Sequence, residues 1–269
     1  MRDIRWLQAV VREAGRRAAR RQRQLEFAER MYKEDGSVVT EVDRDTEDFL
    51  CERIHARVPE ANLVTEERVR HFADGRPWTF VIDPIDGTDS FSQGLPTWAV
   101  SVGVLDAELV PVAGIVHAPR LGLMLAVDSR NRVRDGAREV AAPAPLESLS
   151  RLSGLAISSR AHRSFDLSRF PGKVRGHGSA ALHLVYPAIF GGIVAALQDD
   201  GANAWDIAGA HAICRAAGCT FTYLDGRPVD YRALRARRWK VEGPLIAAKP
   251  GAAALVLACI APLPAATPT

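Results

Sequence analysis

Apolar residues recur at helical spacing from the start of the chain. Ile4, Leu7, Val10, Val11, Ala14, Ala18, Leu25 and Ala28 share one face and predict a helix over residues 4–31. Arg16, Arg17, Arg20, Arg21 and Arg23 fall mostly on the other faces. Asp35-Gly36-Ser37 marks a turn, and Val38-Val39-Thr40 a short extended segment. A second helix is expected from Asp43 to about Val58, where Pro59 ends it. Strand-like runs follow at Leu63–Thr65, Thr79–Ile82, Ala99–Leu105, Val110–Val116 and Leu123–Val127. Residues 129–150 are polar, then rich in Ala and Pro, and read as a loop or junction.

The pattern then changes. Strands at Gly154–Ser158, Ile193–Leu197, Thr220–Tyr223 and Leu245–Ala247 alternate with helices near Ala180–Phe190, Ala204–Ala217 and Ala252–Ile260. An antiparallel-rich half (about 1–140) and an alternating half (about 151–269) predict a layered α/β architecture of two intimately joined halves in a single unit, 1–269.

Composition narrows the field. With 269 residues, 47% hydrophobic and 25% charged, the chain can bury a large core unaided, which excludes disorder, a collagen-like repeat and a coiled coil. Four cysteines without a CxxC spacing form no disulfide framework or metal finger, so a reducing cytoplasm is expected. The N-terminus lacks the apolar core of a signal peptide. The longest apolar run, Ala252–Ala266, is too short to span a bilayer and is broken by Pro262 and Pro264, so no membrane association is expected.

A net charge of +3 hints only faintly at an anionic partner. Lysine occurs only at positions 33, 173, 240 and 249, so nearly all of the 35 cations are arginine, a bias that reads as genome composition. The arginines of the first helix read as a solvated face. A regulatory or RNA-associated role for them is the alternative of a different class, and no aromatic residue interleaves them to support it.

The chemistry concentrates in Thr79–Phe91, TFVIDPIDGTDSF. An apolar strand is expected to end at Asp83, with Pro84 stopping ladder pairing. Asp83 and Asp86 can face one point across a turn, with Gly87 and Thr88 offering backbone N–H groups and a hydroxyl to the same place. Oxygen ligands for a hard divalent cation and donors for a phosphate would then coincide. Taken alone, Asp-Pro-x-Asp-Gly is equally an ordinary β-turn. Three further acidic features stand at element ends: Glu66-Glu67 after a strand, Asp43 opening a helix, and Asp206 in Trp205-Asp206-Ile-Ala-Gly opening another. Taken alone, Asp43 and Asp206 read equally as helix N-caps.

In order and approximate spacing, Val39-Thr40-x-x-Asp43, Glu66-Glu67, Asp83-Pro-Ile-Asp86-Gly-Thr88 and Trp205-Asp206-Ile-Ala-Gly resemble the inositol monophosphatase family. The resemblance reaches from the first helix to about Ala248. It implies the sugar-phosphatase fold of alternating α/β/α/β/α layers and Mg²⁺-dependent hydrolysis of a small phosphate monoester by a metal-activated water. Inositol-1-phosphate or a related polyol or sugar phosphate is the expected substrate, with two or three Mg²⁺ ions per site, sensitivity to lithium, and a homodimer.

Carried over by residue, the resemblance makes Glu66, Asp83 and the Ile85 carbonyl ligands of one ion. Asp83, Asp86 and Asp206 hold a second. Asp43 and Thr88 position the attacking water, with Glu66 near it. Gly87 and Thr88 cradle the phosphate, and Glu67 supports the site. Ser179 and Ala180 lie in the substrate-contacting segment, and Asp199 or Asp200 bonds substrate hydroxyls.

Asp89-Ser90 and the Ala210 end of WDIAGA depart from the family's commoner pattern, at positions that carry no ligand. The run Ser90-Phe-x-x-Gly-x-Pro-x-Trp98 resembles the histidinol-phosphate phosphatases, which makes that activity the runner-up. His177, His183 and His211 read as structural hydrogen-bonders, and Phe91 and Trp98 as core.

Overall fold

Strands whose residues are apolar on both faces must be covered on both, and this chain meets that demand with helices above and below two sheets. The computed structural model describes residues 4–24, 31–32, 38–68 and 72–263. Helix α1 (Arg5–Gln22) is followed by a short antiparallel ribbon, β1 (Met31–Tyr32) and β2 (Val38–Val39), and by α2 (Glu41–Arg57). A seven-stranded sheet comes next: β3 (Asn62–Thr65), β4 (Thr79–Asp86), β5 (Ala99–Leu105), β6 (Pro111–Ala118), β7 (Leu123–Val127), β8 (Val133–Asp135) and β9 (Arg138–Glu139). The one-turn helix α3 (Thr88–Ser92) follows β4. Only the β3–β4 pairing is parallel; the other strands run antiparallel in sequence order.

The second half comprises β10 (Gly154–Ser158), β11 (Phe165–Asp166), β12 (Lys173–His177), α4 (Ala180–Ile189), β13 (Ile193–Gln198), α5 (Ala204–Ala216), β14 (Thr220–Tyr223), α6 (Tyr231–Ala236), β15 (Leu245–Ala248), α7 (Ala252–Leu257) and β16 (Ala261–Pro262). Its main sheet has the order β12-β10-β13-β15-β14, with the first three strands parallel and β15 antiparallel to both its neighbours. Strands β11 and β16 form a separate pair.

Packing gives five layers. Leu7, Val11, Ala14 and Ala18 of α1, with Leu50 and Ile54 of α2, cover one face of the seven-stranded sheet. Helices α4 and α5 fill the space between the two sheets, and α7 covers the outer face of the second. The approach of α5 to the first sheet is close: a Cβ on Gly114 of β6 would overlap the carbonyl of Gly209, and one on Gly209 would lie 2.6 Å from Ser101 Oγ. The α/β/α/β/α layering is as expected.

Several element bounds differ from the sequence reading. Helix α1 ends at Gln22, whose buried side chain turns inward: its Nε2 donates to the Phe91 and Leu95 carbonyls, and its Oε1 accepts from Trp98 Nε1. The expected continuation at Leu25 and Ala28, like the Asp35-Gly36-Ser37 turn, lies outside the described residues. Part of the 129–150 segment is a strand hairpin, β8–β9, extending the first sheet. Strand β12 went unforeseen because it lies at the sheet edge, with mostly exposed side chains and no apolar alternation.

Candidate active site

The site begins with an irregularity in β4. This strand does not end at Asp83; it pairs with β5 as far as Asp86, and the ladder shifts between Asp83, opposite Ser101, and Asp86, opposite Ala99. Plain alternation would send residues three apart to opposite faces. The extra residue of the bulge instead turns Asp83 and Asp86 toward one place. Both are almost completely buried. Asp206 joins them from α5, so that each of the three carboxylates offers an oxygen within 4.8 Å of the others.

Two helix starts supply the remaining acids by the same device. Asp43 and Asp206 both sit at the third helical position, three residues after the caps Thr40 and Asn203, rather than at the caps themselves. Asp43 Oδ2 accepts from the Thr40 amide at 2.9 Å and the Thr40 hydroxyl at 2.5 Å; Asp206 Oδ2 accepts from the Asn203 amide at 2.5 Å. Each bond leaves the carboxylate's other oxygen to face away from the helix start. For Asp43 that oxygen lies 3.0 Å from the Thr88 hydroxyl, which is also 3.0 Å from the Ile85 carbonyl.

Asp86 links the two halves of the chain. It accepts a hydrogen bond from the Ser179 hydroxyl, and the Ala180 and Ala181 amides of the α4 start donate to it at 3.0 and 2.6 Å. Ser179 is therefore fully buried and committed to Asp86, while Ala180 lines the cleft. Gly87 adopts φ +91°, and a Cβ there would lie 2.9 Å from the Gly178 carbonyl, so the turn after Asp86 accepts only glycine without strain. Asp199, buried, and Asp200, exposed, line the same 520 Å³ cleft, as does Glu66.

One contributor escaped the sequence reading. Glu47 of α2 is fully buried and accepts from the Glu67 amide at 2.7 Å, fixing the turn that presents Glu66. The available signal was its position one helical turn after Asp43. His211 lies away from the cleft, stacked 4.4 Å from the Phe221 ring, and Phe91 and Trp98 pack edge to face in the core.

Electrostatics give the cluster its character. Burial raises the Asp83 carboxyl well above the ordinary range, and the charges of Glu66, Asp86, Asp206 and Asp43 raise it further. Asp206 is raised well above its usual value in the same way. Burial lifts Asp86 to about 6 against the bonds from Ser179, Ala180 and Ala181, and lifts Asp43 to about 6 against those from Thr40. Asp83 Oδ1 is buried without a hydrogen-bond partner. A convergence of carboxylates that ends in an orphan oxygen suits a hard divalent cation, which supplies both the missing partner and the missing positive charge.

Comparison with known proteins agrees. A profile of the inositol monophosphatase family matches residues 4–255. The inositol-1-monophosphatase of Synechocystis sp. is 30% identical over 203 residues, 72% of this chain and 70% of that protein. The histidinol-phosphatase of Mycobacterium tuberculosis is 31% identical over 207 residues, 72% of this chain and 77% of that protein. The solved structure of a Thermotoga maritima IMPase shares the fold, with a TM-score of 0.79 over 94% of each chain at 22% identity.

Fold, site and relatives thus define a phosphoric monoester hydrolase with an acidic cluster suited to metal. The chain belongs to the inositol monophosphatase family. Among the described residues, no helix is long and apolar enough to cross a membrane.

Proposed function

We propose that the protein is a Mg²⁺-dependent phosphatase acting in the cytoplasm, as a homodimer of single catalytic units, on inositol-1-phosphate or a related polyol or sugar phosphate. The observation that carries this reading is the meeting of Asp83, Asp86 and Asp206 within 4.8 Å, with Asp83 Oδ1 left orphaned. Glu66, Asp83 and the Ile85 carbonyl would hold one ion, and Asp83, Asp86 and Asp206 another, in a site for two or three. When bound, Mg²⁺ offsets the phosphate charge and eases deprotonation of the attacking water.

The chain's own groups do the positioning. The single hydroxyl proton of Thr88 cannot serve both acceptors within reach. Donated to Asp43, it frees the Ile85 carbonyl and turns a lone pair of the Thr88 oxygen toward a water, from which it accepts a hydrogen bond. The water is thereby oriented for attack at phosphorus, with the Gly87 and Thr88 amides on the phosphate oxygens. The new P–O bond forms as the ester P–O bond breaks, and the alcohol leaves carrying a proton derived from water. Ser179 and Ala180 contribute by holding Asp86, and Asp199 accepts from hydroxyls of the leaving alcohol.

Phosphate release should require Mg²⁺, vanish on chelation and return on its addition. Asp83→Asn should lower kcat/KM at least about a hundredfold, as expected for loss of a charge-stabilising group; undiminished activity in that variant would overturn the reading.

Hydrolysis of histidinol phosphate is the second reading, favoured by the Ser90–Trp98 run and by the mycobacterial relative. A panel of phosphate esters ranked by kcat/KM separates the two. On the arginine face of α1, Arg16 and Arg17 pair with Glu13, and Arg21 with Asp45 and Glu41.

A further inference from the structure

Helix α6 ends in a strained turn. The Trp239 amide donates to the Leu234 carbonyl at 2.6 Å and the Arg238 amide to the Arg235 carbonyl at 3.1 Å, the paired bonds of a Schellman ending. Such an ending places one residue in the left-handed region, ordinarily a glycine. Here Arg238 takes that place at φ +54°, and Trp239 follows in the same region at φ +67°. Strain of this kind persists only where the surroundings over-determine it.

Those surroundings lie on both sides of the turn. The Trp239 carbonyl accepts from the Ala204 amide at 2.8 Å, the Val241 amide donates to the Ala202 carbonyl at 3.0 Å, and Lys240 forms an antiparallel bridge with Asn203. The turn thus grips the start of α5 on either side of its cap, Asn203, whose own amide donates to Asp206. The Trp239 side chain makes a separate contact. Its ring lies 5.7 Å from that of Phe72, and the Arg235 guanidinium stands 4.1 Å over the Phe72 ring while bonding both carboxylate oxygens of Asp74. Phe72 and Asp74 belong to the β3–β4 connection, which begins with Glu66. That connection is tied back to β3, where the Asn62 side chain exchanges two bonds of 2.9 Å with the Ala73 backbone.

We infer that Trp239 is a positioning residue for Asp206: its ring, anchored on Phe72, holds the strained turn that fixes the first residues of α5. The strain is what makes the ring matter. Without its anchor the turn relaxes toward negative φ, which swings the Trp239 carbonyl away from Ala204 and loosens the Asn203 amide that steadies Asp206. With the anchor in place, Asp206 stays within reach of Asp83 and Asp86, where a cation would draw on all three. The inference rests on the phosphatase reading, in which Asp206 is a ligand of Mg²⁺.

The test sets Mg²⁺ binding beside catalysis. Trp239→Ala and Phe72→Ala should each weaken Mg²⁺ affinity, measured by titration calorimetry on the full chain, about tenfold or more, the usual cost of losing a group that supports a metal ligand. The Mg²⁺ concentration for half-maximal phosphate release from the preferred ester should rise in step, with kcat at saturating Mg²⁺ close to wild type. Trp239→Phe keeps a ring and should keep most of the affinity. The double variant should bind no more weakly than either single one, because the two residues act through one contact. Trp6→Ala removes a partly buried tryptophan that packs on Phe80, and should leave the affinity unchanged.

Wild-type affinity in both Trp239→Ala and Phe72→Ala overturns the inference. An equal loss in Trp6→Ala does so too, since it would reduce the effect to general destabilisation. If an alanine variant fails to fold, Trp239→Leu and Phe72→Leu, which keep apolar bulk without the ring contact, decide by the same measurement. Wild-type protein that binds no Mg²⁺ removes the phosphatase reading and this inference together; binding that the variants leave untouched removes this inference alone.

Discussion

At the residue scale, the site is a collection of groups held against their own preferences. Four acids raised above their ordinary pKa are costly in a folded chain, and the cost exists because a cation is meant to offset it. Asp83→Asn should therefore raise the melting temperature of the chelated protein at pH 7.5 while abolishing activity, a trade of function for stability; a lower melting temperature would contradict the repulsion. Thr88→Val should reduce kcat by roughly a hundredfold or more, the scale of proton-transfer catalysis, while Thr88→Ser, which keeps the hydroxyl, should stay close to wild type. Stopped assays of phosphate release measure both. The convergence of Asp83, Asp86 and Asp206 was legible in the sequence because its motifs are long and ordered. Glu47 was not, since a glutamate in a helix shows no sign of burial until the partner amide of Glu67, twenty residues away, is placed beside it.

At the element scale, regular structure delivers irregular chemistry. The β4 bulge aims two aspartates together, and two capping arrangements aim Asp43 and Asp206. Apolar runs revealed most strands, and small-residue helices were visible as such. The edge strand β12 and the true end of β4 were not, because the first lacks periodicity and the second depends on pairing across a bulge. Elements also constrain one another: α5 lies against β6 with no room at Gly114 for a side chain. Gly114→Ala should destabilise the protein by about 1 to 3 kcal/mol, the range for overpacking. A denaturant titration measures it, and a midpoint equal to wild type would show that the helix can move.

At the scale of the whole molecule, a basic chain of net charge +3 folds a strongly acidic pocket into its interior. The consequence for stability has a definite sign. A carboxyl raised from 3.8 to about 6, as at Asp43 and Asp86, keeps its proton in the folded chain where the unfolded chain has released it. In the metal-free protein these groups therefore cost stability as pH rises through that window. His183 and His211 oppose them: burial keeps both neutral down to about 4, so they cost stability as pH falls below 6.5. The increment in melting temperature produced by Mg²⁺ separates the two effects, because protons compete with the ion only at the carboxylates. It should be largest above pH 6 and shrink toward pH 5; a pH-independent increment would place the ion elsewhere.

Helix α5 carries Asp206 in its first turn and continues as the wedge between the two sheets, with Gly209 pressed against β6. An ion drawing on Asp206 thus steadies a buttress as well as a reaction. Amide hydrogens along Ala204–Ala216 should exchange with deuterium more slowly when Mg²⁺ is present, while those of α7, on the outer face, keep their pace. The solvent would then record occupancy of the catalytic cleft from the far end of a helix that never touches substrate along most of its length.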